Sequence, residues 1–222
     1  HGAHVVINGR DSAKLDAAAR TLEAEGHAVE TAPFDVTDEA AVKAGIGAVL
    51  AGGDLHVLIN NAGIQRRSPL TDVTLNVWNE VLTANLTAAM LVSREIAPHM
   101  LARGSGKIVN ILSVMSELGR KTIAPYTAAK GGLKMLTRAM CAEWAAGGVQ
   151  VNGIGPGYFT TEMNRALLAD ETFTAWIEAR TPAGRWGDPR ELVGAAVFLS
   201  SGASTFVNGQ VVYVDGGILA VL

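Results

Sequence analysis

Two periods of apolar residues alternate along this chain. Short runs rich in Val, Ile and Leu recur at Val5–Ile7, Ala28–Phe34, Leu55–Ile59, Lys107–Leu112, Val149–Ile154 and Val211–Val214. Each is followed by Gly, Asn, Asp or Ser, the residues that end strands. Between them lie longer stretches with helical spacing, at about Ser12–Glu25, Asp38–Ala51, Leu75–Arg103, Pro125–Cys141 and Pro189–Ser200. Pro98 predicts a kink or break in the long Leu75–Arg103 stretch. Residues Gly155–Arg180 read as a loop with short helices, and His1-Gly2-Ala3-His4 as a helix end entering the first strand. Apolar strands alternating with helices predict an α/β fold, a doubly wound parallel sheet covered on both faces.

In such a sheet ligands sit beyond the carboxyl ends of the strands. The polar and glycine-rich segments all leave those ends: Asn8–Asp11, Asp35–Thr37, Asn60–Gly63, Ser113 and Gly155–Thr161. Five such ends gathered on one edge describe a dinucleotide groove.

Composition narrows the picture. A length of 222 residues predicts one domain with a substantial core. The net charge of −3 argues against a nucleic-acid partner, which needs a basic face. The single cysteine, Cys141, forms no internal disulfide, so a reducing cytoplasm is expected. No apolar run reaches the length of a membrane span, no secretory signal is present, and the five histidines show no metal-ligand spacing.

The candidate chemistry centres on Tyr126-Thr127-Ala128-Ala129-Lys130, with Ser113 thirteen positions upstream. Four residues apart on a helix, a phenol and an ammonium share a face. Free tyrosine titrates near 10. A positive neighbour favours the phenolate, so Lys130 together with a positively charged cofactor is expected to bring Tyr126 towards neutral pH, where general acid–base catalysis works best. Taken alone, Y-x-x-x-K is also the pattern of an ordinary surface pair.

Asn60-Asn61-Ala62-Gly63, Asn85, Ser113, Tyr126-x-x-x-Lys130 and Pro156-Gly157 together resemble the short-chain dehydrogenase/reductase family across essentially the whole chain. The resemblance implies a Rossmann-type sheet and a nicotinamide cofactor that supplies the hydride. It implies that Tyr126 donates the proton in reduction, that Ser113 holds the carbonyl oxygen, and that Lys130 tunes the phenol and grips the ribose. Asn85 is expected to anchor a water behind Lys130. Cofactor contacts are implied at Asp35 and Val36 beside the adenine, at Asn61, Ala62 and Gly63, and at Pro156, Gly157, Phe159 and Thr161 around the carboxamide. The loop after Gly157 is expected to close over substrate. The family's first strand, its glycine-rich turn and its first helix find no counterpart. The expectation is that the native protein begins roughly 30 residues upstream of His1, one strand-plus-crossover unit.

At the end of the first strand the chain has Asn8 in place of an acidic residue, with Arg10 two positions on. A guanidinium pairs with a 2′-phosphate, so NADP is favoured over NAD, tempered by the charge of Asp11. A narrower resemblance is carried by Gly63–Arg67, Ser116–Arg120, Phe173–Trp176 and Pro182–Asp188. It points to the branch of the family that interconverts D-gluconate and 5-keto-D-gluconate. An acid of that kind brings a carboxylate, for which Arg66 or Arg67 is the candidate fork, one of the two being solvated surface. Gln65, Glu117 and Arg120 are secondary candidates, and Trp176 and Trp186 either wall the pocket or pack in the core. Another acidic keto-sugar, of the 2-keto- or 3-deoxy-gluconate type, is the alternative substrate, and a non-catalytic nucleotide-binding protein the alternative class. Leu75–Arg103 and Pro125–Ala146 each carry apolar residues beyond one face. With the family resemblance, this implies a homotetramer, in which the apolar C-terminal segment packs at a second interface.

Overall fold

Six strands, all in parallel pairs, form the frame: β1 Val5–Gly9, β2 Val29–Pro33, β3 Val57–Asn60, β4 Gly106–Ile111, β5 Val149–Pro156 and β6 Val211–Val214. The structure is a computed structural model and describes residues 2–222. β1 pairs with β2 in one ladder, and β3-β4-β5-β6 form a second in that order. Among the described residues β1 and β3 are not paired to each other, and Val5 and Ile59 on these two strands stay exposed.

Among the described residues eight α-helices connect and cover the strands: α1 Ser12–Ala24, α2 Glu39–Ala51, α3 Leu75–Leu82, α4 Ala88–Arg103, α5 Ala124–Trp144, α6 Arg165–Leu168, α7 Glu171–Arg180 and α8 Val193–Ser200. Their starts are set by side chains that accept the first free N–H groups. Asp11 caps α1 through Lys14 N (3.1 Å), Asp38 caps α2 through Ala41 N (3.0 Å), and Asp170 caps α7 through Phe173 N (3.0 Å). Asp188 and Glu191 form a capping box ahead of α8. α4 ends at Gly104, whose φ of 70° is the left-handed conformation that a helix C-terminus favours.

The main core lies where α2, α4 and α5 meet β4 and β5. Val42, Ile46, Ile96, Met100, Ile108, Met140 and Val151 form a continuous buried cluster there. α4 is buried over most of its circumference, and β5 is buried along nearly its whole length. The one buried polar side chain of β5, Asn152, is satisfied there, donating to Val207 O at 2.8 Å and accepting from Gln210 N at 3.0 Å.

Pro98, expected to kink or break the long Leu75–Arg103 stretch, does not break it. Pro98 lies inside α4, which continues through it to Arg103. The irregularity lies earlier, where Thr83–Thr87 widen into a π-turn between α3 and α4, with Ala88 N donating to Thr83 O. Such insertions occur often at functional sites. Asn85 sits at its centre, 1% exposed.

Candidate active site

Two cavities open at the carboxyl ends of the strands. The larger, about 520 Å³, is lined by the ends of three strands and by the α3 region: Asn8 and Arg10, Asp35 and Val36, Ala62 and Gly63. The smaller, about 60 Å³, lies over Ser113 and Tyr126.

Beneath the smaller cavity the polar groups are set by elements of opposite character. Ser113 follows β4 in extended conformation, its hydroxyl accepting from Met115 N at 3.1 Å. Tyr126 and Lys130 project from the first turns of α5, with the Lys130 Nζ 5.6 Å from the centre of the Tyr126 ring. The ammonium donates to Ile111 O at 2.6 Å, so it is anchored to the end of β4. Lys130 is 4% exposed, and burial brings its pKa from 10.5 down to about 8. The expected lowering of Tyr126 combines Lys130 with a positively charged cofactor; among the chain's own groups burial is the largest influence. Burial raises its phenol above the usual value, the Ser113 hydroxyl opposes this, and Tyr158 adds to it. The hydrogen bond of Lys130 goes to the Ile111 carbonyl and not to the phenol.

Asn85 faces the same group from the π-turn. Its Nδ2 donates to Ile64 O (2.8 Å) and to Val81 O (2.9 Å), while its Oδ1 is buried without a hydrogen-bond partner. A Cβ on Gly63 would lie 2.6 Å from that oxygen and 3.8 Å from Lys130 Nζ, so glycine is required for this approach. A buried acceptor left open beside a lysine marks a place for a donor such as water.

Asn8 lines the larger cleft with its amide nitrogen already engaged. The Nδ2 donates to Ala32 O (2.8 Å) and Phe34 O (3.1 Å), joining the ends of β1 and β2. Arg10 faces solvent and lies 3.7 Å from Asp35 Oδ2. Asp11, expected to temper Arg10, is engaged as the α1 cap, and Asp35 is the acid that does so. Hydrogen bonds from the Thr37 side chain and backbone, then the nearby Arg10, hold the Asp35 carboxyl below its usual range. Asn61 is exposed just after β3. Pro156 closes β5, and Gly157 packs against the Asp215 backbone. Phe159 is buried with its ring against Gly187, and Thr161 precedes a short helical turn before α6.

The arginines separate. Arg66 forms a two-point pair with Glu80, through Nη2–Oε1 at 2.6 Å and Nε–Oε2 at 3.2 Å, on the side of the larger cleft. Arg67 donates to Gln65 Oε1 at 3.2 Å, and burial followed by the charge of Arg120 lowers its pKa. Arg120 and Gln65 both line the cavity that contains Ser113 and Tyr126. Glu117 does not contribute to it. Its carboxylate is bound by Lys134 and by the Tyr213 hydroxyl (2.6 Å), which hold it below the normal range. Tyr213 in turn is pushed up to about 12, by burial and then by Glu117.

Among the cavity residues that the sequence reading missed are Tyr158, Met163 and Asn164. Tyr158 belongs to an aromatic cluster with Phe173 and Trp186, at 5.8 and 5.6 Å between ring centres. Trp186 is buried there, whereas Trp176 is half exposed and leans on Phe173. A tyrosine directly after Pro-Gly was the available hint, since the turn fixes where that side chain points. Among the described residues no helix is long and apolar enough to cross a membrane.

A family model described as enoyl-(acyl carrier protein) reductase matches residues 1–219. Gluconate 5-dehydrogenase of Gluconobacter oxydans is 56% identical over 219 residues, covering 98% of this chain and 86% of that protein. 5-Keto-D-gluconate 5-reductase of Escherichia coli K12 is 52% identical over 220 residues, covering 99% and 87%. Among solved structures, a gluconate 5-dehydrogenase from Burkholderia cenocepacia in complex with NADP and tartrate superposes with a TM-score of 0.97 at 51% identity, covering 100% of this chain and 87% of that one. The chain belongs to the short-chain dehydrogenase/reductase family, a family of NAD(P)-binding oxidoreductases.

Proposed function

We propose that this protein interconverts 5-keto-D-gluconate and D-gluconate with a preference for NADP, using Tyr126 as general acid and base. The observation that carries the reading is the meeting of Ser113, Tyr126, Lys130 and Asn85 beneath a cavity whose wall holds an arginine without an acidic partner. The names of the relatives point the same way.

The cofactor fits the larger cleft on three grounds. The cleft joins the ends of three strands, Gly63 permits close backbone approach, and Arg10 offers a solvent-facing guanidinium where no acid occupies the end of β1. Arg10 would hold a 2′-phosphate, Asp35 and Val36 would flank the adenine, and Asn61, Ala62 and Gly63 would follow the middle of the dinucleotide. Pro156, Gly157, Phe159 and Thr161 would border the carboxamide, and Lys130 the ribose hydroxyls. The bound nicotinamide supplies the hydride.

The chain's own groups manage the proton. Ser113 donates to the substrate carbonyl oxygen and holds it within reach of the phenol. Tyr126, kept protonated by its burial, delivers its proton to that oxygen in reduction and takes it back in oxidation. Lys130 steadies the phenolate left behind. Its fixed bond to Ile111 O keeps the charge beside Tyr126 instead of in solvent. The open Oδ1 of Asn85 holds a water that returns a proton from solvent through Lys130.

Replacing Tyr126 with Phe keeps the ring and removes the proton. In the full-length enzyme turnover of 5-keto-D-gluconate is expected to fall by about 10²–10⁴ with NADPH affinity retained. Activity within a few-fold of the parent would refute the role.

A further inference from the structure

The sequence offers Arg66 and Arg67 as the carboxylate fork, but the geometry favours a different side chain. Arg66 already holds a carboxylate, that of Glu80, in two-point contact. A second anion there would have to displace the first. Arg120 has no such partner. Among the described residues it pairs with no acid, its Nε is buried without a hydrogen-bond acceptor, and its guanidinium lies 5.2 Å from the centre of the Phe173 ring. An aromatic face holds a guanidinium in place while leaving its N–H edge unused. A buried donor without an acceptor is costly unless a ligand completes it. The charge of Arg120 is felt at Arg67, whose pKa it lowers after burial, so a second cation stands near Arg120.

The surrounding loops fix that wall. Ser68 N donates to Thr122 O at 2.9 Å, which ties the loop carrying Arg67 to the loop carrying Arg120. Thr122 adopts a φ of 70°, a strained conformation for a β-branched residue. This junction lies between Ser113 and Tyr126 in the chain. In 5-keto-D-gluconate the ketone and the carboxylate stand near opposite ends of the carbon chain. The group that reads the acid must therefore share the cavity with Ser113 and Tyr126 without crowding them. Arg120 lines that cavity, and Arg66 does not.

We propose that Arg120, stacked on Phe173 and backed by Arg67, is the residue that selects an anionic substrate, and that Arg66 is a structural partner of Glu80. The proposal rests on the reading of Ser113 and Tyr126 as the reacting end of the same cavity.

The test compares 5-keto-D-gluconate with 5-keto-D-fructose, an uncharged ketone of similar size, in the full-length enzyme. Arg120→Ala and Arg120→Gln are expected to lower kcat/KM for the acid about ten- to a hundredfold, chiefly through KM. The uncharged ketone and the dissociation constant for NADPH should change less than about threefold. Arg120→Lys should recover part of the loss, since an ammonium keeps the charge without the fork. Arg66→Ala should leave the ratio between the two substrates unchanged. Competitive inhibition by tartrate, read separately, should weaken in the Arg120 variants in parallel with KM for the acid. Equal losses on both substrates, or a selective loss in Arg66→Ala, would overturn the assignment while the parent still used the acid. A folded parent that turns over neither gluconate nor its 5-keto form would instead overturn the proposed function.

Discussion

Lys130 has the most to say about pH. Its pKa falls from 10.5 to about 8 because the charged form is buried, a shift worth about 3 kcal/mol against the folded state at neutral pH. Below pH 8 the lysine is charged in both the folded and the unfolded chain, so the penalty is present in full. Between pH 8 and 10.5 the folded protein loses the proton first, and stability contributed by this residue rises with pH until the penalty is gone. Lys130→Met should therefore stabilise the protein without cofactor most at pH 7, relative to the parent, and progressively less towards pH 10. Thermal melts of both proteins at the two pH values check this, and a constant gap would show that the ammonium is not desolvated. Ser113, Tyr126 and Lys130 were legible in the sequence because their spacing is tied to one helix and one strand end. The protonation of Tyr126 was not, because it depends on how deeply the ring lies and on where Lys130 sends its hydrogen bond. The arginines failed for a similar reason. Adjacent positions 66 and 67 look equivalent in sequence, but the acid that occupies Arg66 comes from Glu80, on a different element.

At the scale of elements, strands and helices were legible because apolar runs and caps are local signals, and their boundaries fell within a few residues of the observed ones. The exception is the stretch from Leu75 to Arg103. A proline is visible in sequence and suggested a break at Pro98, but its missing N–H is accommodated within α4. The π-turn at Thr83–Thr87 has no residue signature, since Thr-Ala-Asn-Leu-Thr is compatible with an ordinary helix. Its purpose becomes visible only in three dimensions, where it carries Asn85 to the back of Gly63. Asn85 is pinned there by two bonds to carbonyls, so it yields little when crowded. Gly63→Ala would set a methyl 2.6 Å from the Asn85 Oδ1. The expected result is a loss of about 1–3 kcal/mol in stability from overpacking. A loss of turnover should accompany it, because the displaced oxygen is the one proposed to hold the proton-relay water. Chemical denaturation and steady-state kinetics on the same preparation would measure both. Unchanged values in both would mean that Asn85 swings aside freely and that its position is not critical.

For the whole molecule, the sequence expectation of two long helices with a spare apolar face divides into two different outcomes. α4 has little to spare: its exposed positions are Arg94, Pro98 and Ala102, and the rest of its circumference faces the core or lies partly covered. α5 differs. Its inner face packs Ala129, Leu133, Thr137 and Met140, while Ala128, Met135, Ala139 and Ala142 form an exposed stripe at seven-, four- and three-residue steps along the other side. That spacing keeps all four on one face of a helix. Three alanines allow close approach of another helix, and Met135, 57% exposed, supplies the large apolar contact between them. An interface between identical chains about a two-fold axis would set this stripe against its own copy. Other exposed apolar residues, Val193 and Phe198 on α8 and the fully exposed Phe206, are candidates for a separate contact, and two distinct two-fold contacts suffice to build a tetramer. In the C-terminal segment Ile218 turns into the core while Ala220, Val221 and Leu222 are exposed, so that segment stays a candidate for the second interface. In the full-length protein, light scattering at micromolar concentration is expected to report a tetramer. Met135→Glu should reduce it to dimers held by the α8 contact, and Phe206→Ser should leave dimers held by α5. The double variant should be monomeric, with each chain's core intact because neither residue belongs to it. A monomeric parent would refute the expectation outright, and a tetramer untouched by both substitutions would move the interfaces to other surfaces.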